Sequence, residues 1–277
     1  MVQVKSDLPS LNSHKFYTAK PKLCRSSPSG WPQIYGTMTL EEIIRYRRSV
    51  RLYKDIPIDA ETVKHCLELA TRAPNSSNMQ LWEFYHITHP VALQKLAKAC
   101  LSQQSATSAQ QMVVFVTRQD LYGIRAKKML DLETKNVKAH SPADKQEKRI
   151  KNWNTYFGYI IPILYSRFFG IWGMVRKLVV HLIGLFRPII YQVSEIDMRV
   201  VVHKTCALAA QTFMLAMADA QYDTCPMEGF DSGMVKRILK LPFGAEINMV
   251  VSCGIRDENG VWGEQMRIPF EEVYRKF

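Results

Sequence analysis

The longest regular pattern in the chain runs over residues 195–221, and it is helical. Val201, Val202, Thr205, Leu208, Ala209, Thr212, Leu215 and Ala216 recur at helical spacing, and many of them are small. A helix of that length reaches about 40 Å, so it needs packing partners along most of its run. Small residues let a neighbouring helix approach closely. The pattern therefore predicts a buried core helix or a subunit-interface helix, and periodicity alone does not separate the two. Residues 84–88, 112–117 and 249–253 have the β-branched and aromatic density of strands, the last ended by Gly254. Thr39-Leu40-Glu41-Glu42 forms a capping box for a helix carrying Leu40, Ile43 and Ile44 and ending near Arg47. Asp59 caps a second helix with Val63, Cys66, Leu67 and Ala70 on one face, stopped before Pro74. Helices and strands without a regular βαβ alternation predict an α+β fold.

Charge is unevenly spread along the 277 residues. The net charge is +12, yet residues 118–190 hold 14 Lys and Arg against 5 Asp and Glu, and the rest of the chain is nearly balanced. The basicity thus belongs to one segment. It raises nucleic acid or an anionic membrane as a partner. The apolar and aromatic residues beside those cations favour lipid, so nucleic acid is not expected. Six cysteines without a C-x-x-C pair or metal-ligand spacing predict no metal site and a reducing, cytoplasmic setting. The first twenty residues lack an apolar core of the kind a secretory signal has. Residues 1–36, rich in Ser, Pro and Lys, read as an N-terminal arm ahead of a domain over 37–277.

That domain is interrupted by residues 119–192, a basic and apolar insertion. Its Lys-rich first half leads into aromatic and aliphatic runs, among them Phe168-Phe169-Gly170-Ile171-Trp172 and Leu178-Val179-Val180-His181-Leu182-Ile183. Arg167, Arg176, Lys177 and Arg187 do not share one helical face, so the spacing does not predict a clean amphipathic helix. Three roles are open to the segment: a lid, a peripheral membrane contact through 152–190, or an extra helical hairpin that enlarges the core.

Three strings carry candidate chemistry. Arg47-Arg48-Ser49-Val50-Arg51 places guanidiniums and a hydroxyl at i, i+2, i+4 directly after a helix, a donor set suited to a phosphate, although a basic helix end is also an ordinary cap. Pro74-Asn75-Ser76-Ser77-Asn78-Met79-Gln80 offers amides and hydroxyls that pair with both donors and acceptors of a polar heterocycle, or merely a turn. Cys225-Pro226-Met227-Glu228-Gly229-Phe230 reads as a loop with exposed backbone donors. His86-Ile87-Thr88-His89 has no third ligand nearby and reads as a strand end. No G-x-G-x-x-G or phosphate-loop string occurs.

Taken with Arg267-Ile268-Pro269, these strings resemble the nitroreductase family of FMN enzymes, over most of 39–118 and 195–277. The resemblance implies a mixed sheet flanked by helices in a domain-swapped homodimer, and the large helical insertion lies outside it. It implies FMN as cofactor, NADH or NADPH as electron donor, and a small-molecule acceptor such as a nitroaromatic or quinone, reduced by a ping-pong mechanism. Arg47, Arg48, Ser49 and Arg51 match the first FMN-binding string, with Arg51 at the position whose cation lies near the flavin N1 and C2 carbonyl. Pro74, Asn75, Ser76, Asn78 and Gln80 match the string that reaches FMN from the partner subunit. Pro226, Met227, Glu228 and Gly229 match the loop over one flavin face, where the Glu228 N–H would address N5. Gln265 and Arg267 match a late pair near the phosphate. The chain departs from the pattern at Leu81, where Pro is usual, and at Gln265, where Lys is common. Ser102, Gln103 and Gln104 do not align securely with the remaining flavin contact. A reductive dehalogenase or other specialised flavin enzyme, and a non-catalytic flavoprotein that binds a membrane surface, are the alternative readings.

Overall fold

The computed structural model describes residues 38–277 and, before them, only the backbone of two short antiparallel strands, β1 (Cys24–Ser26) and β2 (Pro32–Gln33). The chain divides into units at 1–36 and 37–277. The expected N-terminal arm otherwise lies outside the described residues.

The second unit is α+β. Helix α1 (Leu40–Tyr46) begins at the expected capping box, Thr39 N donating to Glu42 Oε2 at 2.6 Å. Helix α2 (Ala60–Ala70) is capped by Asp59 and buries Val63, Cys66, Leu67 and Ala70. Strands β3 (Trp82–Ile87), β4 (Gln111–Thr117), β5 (Asp223–Met227) and β6 (Glu246–Gly254) form one sheet in the order β3-β4-β6-β5. Every pairing among them is antiparallel. The expectation of a mixed sheet is corrected here: the only parallel pairing among the described residues is an isolated bridge between Ser49 and Thr224. The chain runs beside β5 for one residue before Val50 turns into the core.

Strand β4 explains the layering. All seven of its residues are buried, and alternate side chains enter opposite cores. Val113 and Phe115 join α2 and the long helix α9 (Glu195–Asp219) on one face. Met112, Val114 and Val116 join α3 (Pro90–Ala99), the short α4 (Gln104–Thr107) and α10 (Ser232–Leu239) on the other. By length and composition α9 could cross a membrane. Nine of its residues are instead buried in the protein, Val202 and Ala209 among the positions read from the sequence, while Leu208 is exposed.

The insertion folds as α5 (Tyr122–His140), α6 (Ala143–Thr155), a π-helical turn (Tyr156–Ile160), α7 (Ile161–Tyr165) and α8 (Ile171–Gly184). Ala126, Met129, Phe157, Ile161 and Tyr165 form a third core with Met198 and Val202 of α9 and with Met79 and Leu81. Leu81, the residue that replaces the usual Pro, is therefore an anchor for the insertion. A charge hub adds to this. Glu246, at the start of β6, meets Arg167 of the insertion at 3.3 Å, His203 of α9 at 3.2 Å, and Arg199. The hydrogen bond from His203, helped by Arg199 and Arg167 and opposed by burial, holds its carboxyl down at about 2.

Candidate functional site

The Arg47–Arg51 string leaves α1 in extended conformation and is clamped on two sides. Val50 N donates to Thr224 O at 3.1 Å, and Arg51 N donates to Gly260 O at 2.7 Å. Val50 is wholly buried, and in extended backbone its neighbours point the other way. Arg48 reaches across to donate to Gly263 O at 2.9 Å. A cleft of about 270 Å³ results, lined by Arg47, Arg48, Ser49, Arg51, Gln265 and Arg267, together with Trp262 and Glu264. The structure thus brings the first string and the late pair together.

Electrostatics give this cleft a ligand preference. Burial lowers the proton affinity of Arg47, and the cations of Arg267 and Arg48 lower it further. Among the described residues, neither Arg47 nor Arg51 has an ion-pair partner, and Glu264 is the one acidic side chain in the cleft. Mutually repelling guanidiniums around a cleft favour an anion with several acceptor oxygens. The donor set fits a phosphate.

The string at Cys225 differs from its expectation. Cys225, Pro226 and Met227 are not loop but strand β5, and the Met227 side chain is buried, its sulfur accepting from Ser105 Oγ at 3.3 Å. Pro226 is tolerated because β5 is an edge strand, where a missing N–H breaks no inner ladder. Glu228 and Gly229 follow the strand end and are exposed, as a surface loop requires. This string adjoins the cleft. Burial pushes the Cys225 thiol up, and the nearby cations of Arg51 and Arg47 oppose that rise.

Sequence reasoning missed two sets of positioning residues. Gln103 donates from Nε2 to Gly229 O at 2.8 Å and to Cys100 O at 3.1 Å, holding the loop after β5. Asp223 is buried and accepts from Arg256 Nε at 2.8 Å and Arg256 N at 2.7 Å, while Arg256 also donates to Tyr46 O at 3.0 Å and lies over the Tyr46 ring. This group ties the end of α1 to β5 and so sets the Arg47–Arg51 string beside it. Polar residues at 102–104 were a faint signal for Gln103. Nothing local signals an Asp223–Arg256 pair.

Pro74–Gln80 forms a tight turn, with Ser77, Asn78 and Gln80 all at positive φ. Asn75 Oδ1 accepts from Gln80 N at 2.9 Å, and Gln80 Nε2 donates to Asn78 O at 3.2 Å. The insertion braces the turn: Tyr156 Oη lies 2.7 Å from Ser77 Oγ, and Tyr165 Oη donates to Ser76 Oγ at 3.3 Å. Pro74, Asn75, Ser76, Asn78 and Gln80 do not line the arginine cleft. One copy of the chain therefore does not gather all three strings in one place. His86 pairs with Gln111 at 2.6 Å and His89 caps α3, and no metal-binding group of His, Cys, Asp or Glu occurs among the described residues.

Comparison with known proteins identifies the family. The profile described as the nitroreductase family matches residues 44–255. Nitroreductase NfnB of Mycolicibacterium smegmatis is 26% identical over 200 residues, 72% of this chain and 74% of its own. A nitroreductase structure from Exiguobacterium sibiricum in complex with FMN superposes with a TM-score of 0.62 at 18% identity, covering 87% of this chain and 98% of that one. The NADPH:FMN oxidoreductase of Vibrio harveyi, complexed with NAD+, superposes with a TM-score of 0.53 at 16% identity, over 86% and 76%.

Proposed function

The chain belongs to the nitroreductase family, and from that premise we propose that it is an FMN-dependent oxidoreductase working as a homodimer. It would carry two electrons from NADH or NADPH to a small acceptor such as a nitroaromatic or quinone, in a ping-pong cycle. The observation that carries the reading is the cleft in which Arg47, Arg48, Arg51 and Arg267 face one another around Ser49. Bound FMN would supply the hydride chemistry there.

The chain's own residues would bind and orient. Arg47, Ser49 and Arg267 would hold the phosphate by charge-assisted hydrogen bonds. Arg51, pinned through its backbone to Gly260, would stabilise negative charge that develops near it during reduction. The exposed N–H groups of Glu228 and Gly229, on the loop held by Gln103, would act as donors above the ring. Asn75, Ser76, Asn78 and Gln80 would come from the second subunit. Exposed apolar residues support a dimer: Leu40 and Ile44 on α1, Leu208 on α9, and Trp262, Met266 and Phe270 towards the C-terminus.

The test is direct. Purified protein is expected to show flavin absorbance, to release FMN on denaturation, and to bleach anaerobically with NADH or NADPH. A protein that is colourless and takes up no FMN overturns the reading.

A further inference from the structure

Helix α8 is built inside out for a helix in water. On a wheel of about 100° per residue, Trp172, Met174, Val175, Leu178, Val179 and Leu182 fall within an arc of roughly 160°, and all are exposed. The flanking turns extend the surface, with Phe169 94% and Phe186 88% exposed. The residues turned inward are a glycine and a cation, Gly173 and Arg176. A Cβ at Gly173 would sit 2.7 Å from Glu195 N, so the helix rests on the start of α9 through that position.

Arg176 is only 6% exposed and donates to Val193 O and Ile163 O, each at 2.7 Å, and to Ser166 O at 3.0 Å. The helix cannot roll to hide its leucines without breaking these bonds. Its apolar face is therefore held outward by the fold. The cations that seemed scattered in the sequence sort themselves once Arg176 is inside, because the outward arc then contains none.

Charge selects the occupant of this face. Between Lys148 and Ser194 the chain has seven Lys and Arg and no Asp or Glu; Arg176 is turned inward and Arg167 meets Glu246, which leaves five others. Lys177 and Arg187 are exposed beside the apolar arc, Lys177 with its ammonium 3.8 Å from Asp197 of α9. A broad apolar arc edged by cations, with aromatic rings at both ends, complements an anionic lipid surface. With 14 residues α8 spans about 21 Å, short of the roughly 30 Å hydrocarbon core, so it would lie in the interface and not cross it. We propose that α8 and its flanking turns dock the protein peripherally on an anionic bilayer, with the apolar arc sunk to the acyl boundary and the Arg176 side facing the protein.

Pelleting with vesicles tests this. The full chain, with its flavin, is mixed with phosphatidylcholine vesicles containing about one-third phosphatidylglycerol, with pure phosphatidylcholine vesicles, and with buffer alone. Binding to the anionic vesicles is expected, weaker on neutral ones and reduced by salt. The Leu178→Glu/Leu182→Glu variant changes two exposed positions, and it should lose at least about tenfold in vesicle partitioning. Its circular dichroism and flavin absorbance should match the parent, which separates lost docking from lost fold. The proposal is overturned if the parent stays in the supernatant with anionic vesicles, or if the variant binds them equally well. It is also overturned if light scattering shows the parent self-associating through this face and the variant dispersing with no change at lipid, since a second copy would then be the occupant.

Discussion

Arg47 and Arg267 repel one another across the cleft, so an anion between them does more than add hydrogen bonds. Replacing Arg51 or Arg267 with Ala is expected to weaken FMN binding at least about tenfold, because hydrogen bonds to charged groups are among the stronger ones. The flavin-free form of Arg267→Ala should melt no lower than its parent, since repulsion has been relieved. FMN titration and thermal melts read both arms, and unchanged FMN affinity in both variants would remove these residues from the site. Glu246 shows the opposite situation, an anion satisfied by its surroundings. Its folded value is about 2 against an ordinary 4.5. The stabilisation is thus fully present above pH 4.5 and is lost as pH falls through about 2. Glu246→Gln should cost roughly 2 kcal/mol at neutral pH and flatten the pH dependence of unfolding within that window. Equal slopes in denaturant titrations of parent and variant would refute the assignment.

At the scale of elements, the insertion is two things at once. Its α5 and α7 belong to a core shared with α9 and Leu81, whereas α8 turns apolar residues to solvent. Two leucines should separate these halves. Leu81→Ala, at a buried position, is expected to lose about 2–5 kcal/mol of stability. Leu178→Ala, at a position 64% exposed, should stay within about 0.5 kcal/mol of the parent in solution. Similar losses in urea unfolding of both variants would mean that α8 is covered in the free protein. Strand β5 shows how an element escapes notice. A five-residue strand containing Pro226 resembles a loop, and it persists because β6 pairs with it on one side and Ser49 touches it on the other.

For the whole molecule, the decisive quantity is the number of chains needed to complete a flavin site. The arginine cleft and the Asn75–Gln80 turn do not share lining residues within one chain. If the turn serves a second subunit's flavin, dilution to monomer and loss of flavin should coincide. Light scattering alongside flavin absorbance across a dilution series reads this. A flavin-loaded monomer would overturn the dimeric site.

The local parts of this protein were legible in its sequence because they rest on short-range physics. Thr39 and Glu42 satisfy helix-end donors three residues apart, Asp59 does the same for α2, and the helical repeat from Val201 to Ala216 marks α9, although of its eight named positions only Val202 and Ala209 are buried and the inward face also takes Cys206, Phe213 and Met217. The arginine string was equally visible, since its spacing is a property of the chain itself. What tertiary structure decided depends on contacts between distant segments. Asp223 meets Arg256 and Arg256 meets Tyr46, joining residues that are 33 and 210 positions apart. Arg176 turns inward because carbonyls at Ile163, Ser166 and Val193 converge on it, and only that convergence leaves the rest of α8 as a continuous apolar face. A side chain's type can be read one residue at a time, but the direction it points is set by whichever partner desolvates it.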